Sequence, residues 1–333
     1  MTQFAVPLPA DYRAADFLAY HGRDPLSLSE RVAGTRFEKP LRLSGGLALL
    51  SLDISDTVAL ANFDRALGAA ESVEAHDIVA RLLGFFSDPA GFEAMAAAAT
   101  IAAARPGLRI PLTATVFEAV CWAVIGQQIN LTFAAALRRE MIALAGTQHP
   151  GSGLLAHPGP DAVASLDPAD LAARRFSRSK ARYLVETSAA IAAGTPSLES
   201  LAAAGPETAE AALTALRGIG PWTARYILLR GFGFPDVAPV GDSGLATGLE
   251  RLHGLDRRPD ISEQEAAMRA FAPHRSLATV HLWASLKDQP GAKSRKPTTL
   301  ANRPDAVVAK SVPPATAGPE AGPSVQLKRS RSP

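Results

Sequence analysis

One carboxylate stands out by its setting. Asp242 lies in a loop flanked by Pro239, Gly241 and Gly244 that leads into a helix, and upstream Trp222 and Tyr226, four residues apart, share one face of another helix. The segment joining the helices around Ala209–Leu216 and Pro221–Arg230 is Arg217-Gly218-Ile219-Gly220. Its glycines suit positive φ or close backbone approach, and Pro221 suits a first helical position. This spacing predicts a helix–hairpin–helix whose tip aims backbone N–H groups outward, a natural seat for an anion such as a nucleic-acid phosphate. Between Glu210 and Asp236 there is no acidic residue, whereas Arg217, Arg225 and Arg230 are present. Aromatic faces and a carboxylate beside such a hairpin suggest a pocket for a base. The same features also fit a packing turn, ordinary core aromatics and an aspartate that caps a helix.

Further positive charge comes from Arg174, Arg175, Arg178, Lys180 and Arg182, five cations in nine residues at the start of a helix near Ser177 and Ser179. Ser177, Arg178 and Lys180 read as a second phosphate contact or as a solvated face. Phe117–Ile129 is apolar nearly all round, predicting a buried central helix that ends in Gln127, Gln128 and Asn130.

Leu216-Arg217-Gly218-Ile219-Gly220-Pro221-Trp222-Thr223-Ala224 followed by Asp242, together with Phe117–Asn130, resembles the helix–hairpin–helix DNA glycosylase superfamily. Within it the chain is most similar to the 3-methyladenine DNA glycosylase II (AlkA-like) branch, over about Asp11 to Leu286. The resemblance implies an enzyme of base excision repair that binds damaged double-stranded DNA, flips out an alkylated base and hydrolyses its N-glycosidic bond. It implies Asp242 as the catalytic carboxylate, Trp222, Tyr226 and His274 in the base pocket, and Gln128 as the wedge filling the gap left by the base. DNA contacts are implied at Arg217, Gly218, Ile219, Gly220, Thr223 and Gln127. No cofactor is implied beyond a monovalent cation at the backbone of Thr214, Leu216 and Ile219. Lyase-type relatives carry a lysine where Trp222 stands, so no lyase activity is expected. The competing readings are a glycosylase/lyase for oxidised bases and a non-catalytic helix–hairpin–helix DNA-binding protein.

The expected fold is α+β and mostly α, in three parts. Residues 1–91 form a small antiparallel sheet with helices, residues 92–287 a two-lobed helical core, and residues 288–333 a disordered, basic, Pro-rich tail. Strand signals concentrate in residues 31–54 around a Gly45-Gly46 turn, and Arg13–Tyr20 and Val58–Gly68 read as helices. Thr147–Ala162 reads as loop, and Ser262 with Glu265 as a capping box. The first part shows no chemistry of its own.

The 333 residues carry a net charge of +2, but the tail holds eight Lys/Arg against three Asp/Glu, so the preceding 287 residues sum to about −3. Positive charge for a DNA partner must therefore be grouped. The single cysteine, Cys121, excludes an internal disulfide or a four-cysteine cluster, and the seven histidines show no metal-binding spacing. No run is long enough to span a membrane and the N-terminus lacks a secretory pattern. A cytoplasmic, monomeric protein is expected.

Overall fold

The computed structural model describes residues 1–287; the tail expected at 288–333 lies outside the described residues. The chain opens with a five-stranded antiparallel sheet of β1 (Thr2–Pro7), β2 (Arg31–Ala33), β3 (Arg36–Leu43), β4 (Gly46–Ile54) and β5 (Val58–Phe63). Their spatial order is β1-β5-β4-β3-β2. Pairing of Leu43 with Gly46 leaves Ser44-Gly45 as a two-residue hairpin loop. Helix α1 (Ala14–His21) and helix α2 (Ala69–Leu83) pack on this sheet. α2 buries Ala75, Ile78, Val79, Leu82 and Leu83 against it, an apolar stripe at helical spacing.

Val58–Gly68 is not a helix. Its first six residues form β5 at the sheet interior between β1 and β4, and Ala59, Ala61 and Phe63 alternate inward. Alanine favours a helix in isolation, but strand neighbours on both sides and a period-2 buried face override that preference.

The remainder is helical, built around two apolar cores. The first surrounds α3 (Val116–Gly126), the buried central helix, and is closed by α4 (Leu131–Ala145), α5 (Arg178–Ala192), α6 (Pro206–Thr214) and α7 (Pro221–Ile227). The second joins residues 92–112 to α8 (Ser243–His253), α9 (Ile261–Met268) and α10 (Arg275–Ser285). The fold is thus α+β and mostly helical, with the two-lobed core expected. A two-residue ladder, Thr147–Gln148 with Leu155–Ala156, interrupts the region read as loop. The capping box of α9 is made by Asp260 and Glu263, two residues earlier than expected.

α3 carries one carboxylate, Glu118, and the fold provides for it. Lys39 of β3, 1% exposed, sits 3.1 Å from Glu118 and 3.5 Å from Glu30, and Arg138 of α4 lies 3.0 Å from Glu30. Burial acts to raise both carboxyl pKa values, but Lys39 and Arg138 outweigh it and hold both below the usual range. A buried ion cluster of this kind contributes little net stability, yet removing one member strands the others. It therefore fixes how the sheet sits on α3.

Candidate active site and nucleic-acid interface

The hairpin between α6 and α7 forms as expected, but its two glycines have different reasons. Gly218 has φ +86°, and a Cβ there would lie 2.4 Å from the ring of Tyr183 on α5. Gly220 has φ −89° and ψ 175°, extended backbone that any residue adopts, so positive φ does not explain it. Nothing lies within 4 Å of where its Cβ would be. It offers no side-chain cap to α7, and Pro221 has no N–H, so the remaining backbone donors of the first turn of α7 have no side-chain cap. Ile219 is buried in the core beneath, its N–H donating to the carbonyl of Leu216.

Asp242 caps α8. Its Oδ1 accepts from the Leu245 N–H at 2.8 Å and from the Trp283 indole Nε1 at 2.8 Å, while Oδ2 accepts from Trp222 Nε1 at 3.3 Å. Gly241, with φ +86°, donates its N–H to the buried side chain of Gln264, which anchors the loop to α9. Gly244 is small of necessity, since a Cβ there would stand 3.0 Å from both Asp242 and Trp283. The carboxylate is both a cap and a held group: Oδ1 carries the two short bonds, and Oδ2 keeps capacity for a further partner.

A continuous aromatic wall runs from this carboxylate. Trp222 and Trp283 each lie about one ring away from Tyr226, at centroid separations of 5.8 and 6.1 Å. Burial pushes the Tyr226 phenol up to about 12, against the opposing pull of Arg230, Arg23 and a hydrogen bond from Trp122. Arg230 lies over Trp283 at 5.4 Å and over Tyr20 of α1 at 4.8 Å. Two indole N–H groups holding a carboxylate beside half-buried rings make a surface that can stack a planar group and stabilise positive charge next to it. A cavity of about 300 Å³ shares Tyr20, Arg230 and Trp283 with this wall but does not reach Asp242.

Residues 121–273 match the family described as HhH-GPD superfamily base excision DNA repair protein. The match covers 153 of the 333 residues of this chain. It is 35% identical over 182 residues to a DNA-3-methyladenine glycosylase of Bacillus subtilis, covering 54% of this chain and 60% of that protein. It is 31% identical over 195 residues to DNA-3-methyladenine glycosylase 2 of Escherichia coli, covering 57% and 64% respectively. The chain thus spans about three fifths of the length of these curated relatives. Among solved structures, 3-methyladenine DNA glycosylase from Archaeoglobus fulgidus superposes with a TM-score of 0.74 at 21% identity, over 84% of this chain and 97% of that one. An 8-oxoguanine glycosylase/lyase from Clostridium acetobutylicum gives 0.65 at 15% identity, over 83% and 92%. The fold is therefore shared with one protein named a glycosylase and with another named a glycosylase/lyase, so the fold alone does not separate the two.

The amide turn after α3 divides its labour. Gln127 donates Nε2 to the Gly218 carbonyl at 2.8 Å and to Thr223 Oγ1 at 3.0 Å, so it and the buried Thr223 lock the turn to the hairpin rather than reach outward. Asn130 caps α4 through the Phe133 N–H. Gln128 is exposed with φ +56°; a left-handed backbone is uncommon outside glycine. Such an outlier at a loop tip is a reason to look for function there.

Several cations expected on the surface are committed elsewhere. Lys180 is buried, and its Nζ donates to the carbonyls of Ile125 at 2.7 Å and Gln127 at 3.0 Å; burial lowers its pKa. It caps the end of α3 and does not offer a phosphate contact. Arg225 pairs with Glu210 at 2.8 Å, and Arg230 is buried against Tyr20 and Trp283. Arg178 and Arg217 remain exposed, with Arg217 over Tyr183 near the hairpin. Ser177 caps α5 by accepting from the Lys180 N–H.

His274 stands apart from Asp242. It packs edge-on to Phe92, close to Gly91, at the start of α10, whereas Trp283 is nine residues along the same helix, roughly 13 Å of rise away. Trp283 is the pocket residue that sequence reasoning missed, since nothing local distinguishes it from a core tryptophan. Tyr20 was missed because its domain showed no chemistry by itself. Among the described residues no cluster of His, Cys, Asp and Glu suits a metal, and no helix is long and apolar enough to cross a membrane. Burial pushes the Cys121 thiol pKa up, which suits a core residue.

Proposed function

We propose that this protein is a monofunctional DNA glycosylase that flips an alkylated base of the 3-methyladenine type out of double-stranded DNA and hydrolyses its N-glycosidic bond. The observation that carries the reading is the Asp242 carboxylate, held by two indoles at the end of an aromatic wall and one helix beyond an open hairpin tip. The names of the Bacillus subtilis and Escherichia coli relatives agree with it.

In this proposal the open front of Gly220 receives the DNA backbone, with Arg217 and Arg178 beside it and Gln128 entering the gap left by the flipped base. Extrusion costs a few kcal/mol and is easiest for damaged or mispaired bases. As the base departs, the Asp242 carboxylate stabilises positive charge on the sugar and orients water. A monovalent cation at the carbonyls of Thr214, Leu216 and Ile219 stays part of the proposal. The Leu216 oxygen accepts one N–H and has a second lone pair for an ion. The protein would act as a cytoplasmic monomer.

The lyase alternative needs an accessible amine at the sugar. The second position after Gly220 is Trp222, whose indole is engaged with Asp242. Of the three lysines among residues 1–287, Lys39 and Lys180 are buried and held, leaving Lys287 exposed. Incubation with methylated duplex DNA should release free bases and leave strands that break only after alkali. Borohydride should trap no covalent adduct. Trapping that disappears in Lys287→Ala would replace this assignment with a lyase.

The division of the basic run is also testable. Arg178→Ala should leave thermal stability unchanged and flatten the salt dependence of DNA affinity by roughly one unit. Lys180→Ala should instead cost about 2–3 kcal/mol, because two buried carbonyls lose their donor. Equal stability of the two variants would contradict the structural role of Lys180.

A further inference from the structure

The far end of the aromatic wall carries a charge that the proposed reaction does not use. Arg23 follows α1, and its guanidinium lies 4.1 Å from the centre of the Tyr20 ring and 5.2 Å from that of Trp122. Arg230 lies over Tyr20 as well, at 4.8 Å, so two guanidiniums share one phenol. Both guanidiniums also act on Tyr226, pulling its phenol pKa down against burial, and Tyr226 contacts both indoles that hold Asp242. Arg23 is exposed, and among the described residues no carboxylate comes within ion-pair distance of it; Glu30 acts on it only from farther off.

An aromatic face attracts a cationic base chiefly through its negative quadrupole. Here the Tyr20 and Trp122 faces already hold a cation, and the wall carries two guanidiniums against one carboxylate. A base with a positive ring must displace or approach like charge, whereas an uncharged base with an exocyclic oxygen can accept hydrogen bonds from Arg23. Chemistry points the same way. When the glycosidic bond breaks, its electron pair moves onto the base nitrogen and water oxygen bonds to the sugar carbon; the proton lost by that water goes to solvent when the base was cationic and onto the base when it was neutral. A cationic base leaves as a neutral molecule without help. A neutral base develops negative charge as it leaves, and a guanidinium beside its oxygen stabilises that charge.

We propose that Arg23, set on Tyr20 and Trp122 at the end of the wall, is a specificity-determining residue that favours uncharged damaged bases carrying an exocyclic oxygen over cationic N-alkylpurines. This rests on the glycosylase reading and revises its preferred base from the cationic 3-methyladenine type to an uncharged one. The test uses the full chain and two duplexes, one with hypoxanthine and one with 7-methylguanine, followed by single-turnover base release. Arg23→Ala should slow hypoxanthine release by about tenfold or more while 7-methylguanine release holds or rises. Arg23→Lys, which keeps charge but loses the planar fork, should fall between. Equal losses for both bases, or an unchanged ratio, would overturn the proposal while leaving the glycosylase reading intact. Affinities for the same duplexes, measured with and without Arg23→Ala in an Asp242→Asn background, separate the two questions. Release of no base by the unsubstituted protein, from these duplexes or from methylated duplex, would end the glycosylase reading. The affinity ratio would still report on Arg23, with a shift against hypoxanthine supporting its role and no shift refuting it.

Discussion

Asp242→Asn should lower base release by on the order of 10³-fold or more while duplex affinity stays within several-fold. The change removes the charge proposed to face the sugar and almost no volume. The Asn carbonyl oxygen can keep the place of Oδ1, where the Leu245 N–H and the Trp283 indole both donate at 2.8 Å, so the cap of α8 survives. The new amide nitrogen replaces Oδ2 opposite the Trp222 indole, which sets two donors at 3.3 Å. That mismatch should cost about 1 kcal/mol of stability, too little to unfold the protein. Single-turnover release from methylated duplex, anisotropy and a melting curve on the same preparation separate these effects. Near-normal turnover would move the chemistry to another group. A folded protein that binds DNA but releases no base even without the substitution would favour a non-catalytic helix–hairpin–helix protein.

The two hairpin glycines should fail in opposite ways. Gly218→Ala pushes a methyl to within 2.4 Å of the Tyr183 ring at a backbone φ of +86°, so both packing and conformation oppose it. A loss of about 3 kcal/mol is expected, or roughly 5–10 °C in melting temperature. Gly220→Ala meets nothing within 4 Å and keeps an ordinary φ, so the protein alone should melt within about 1–2 °C of normal. Its cost should appear only with DNA present, as a tenfold or greater loss of affinity, roughly 1.4 kcal/mol, where the methyl obstructs the approaching backbone. Normal DNA affinity for Gly220→Ala would show that this open surface is not the phosphate seat. Normal stability for Gly218→Ala would show that Tyr183 yields more readily than its packing suggests.

Local pattern made much of the helical architecture legible. The apolar run from Phe117 to Ile129 folds as the buried helix it spelled out only as far as Gly126, after which Gln127 and Gln128 leave helical geometry. The hairpin was readable because Gly218 permits a left-handed backbone and Pro221 fixes φ and removes an N–H at the first helical position. Where local propensity and tertiary demand disagreed, the local reading lost. Val58–Phe63 is alanine-containing and became an interior strand because Ala59 and Ala61 had strands on both sides. Lys180 looked like surface charge because a lysine does not announce which carbonyls it will cap.

Taken alone, the residues of this chain determined a mixed domain ahead of a helical core, a hairpin with an open glycine tip, and a single carboxylate one helix beyond an aromatic pair. These follow from spacings of one to a few turns, over which backbone geometry dictates which side chains share a face. Only the tertiary structure decided which groups surround that carboxylate. Trp283 reaches Asp242 across 41 residues, Gln127 reaches the hairpin across 91, and Tyr20 of the sheet-bearing N-terminal part approaches Trp283 through Arg230. No periodicity encodes such meetings, because they depend on how whole helices pack, and packing is set by the sum of many buried contacts rather than by any local motif.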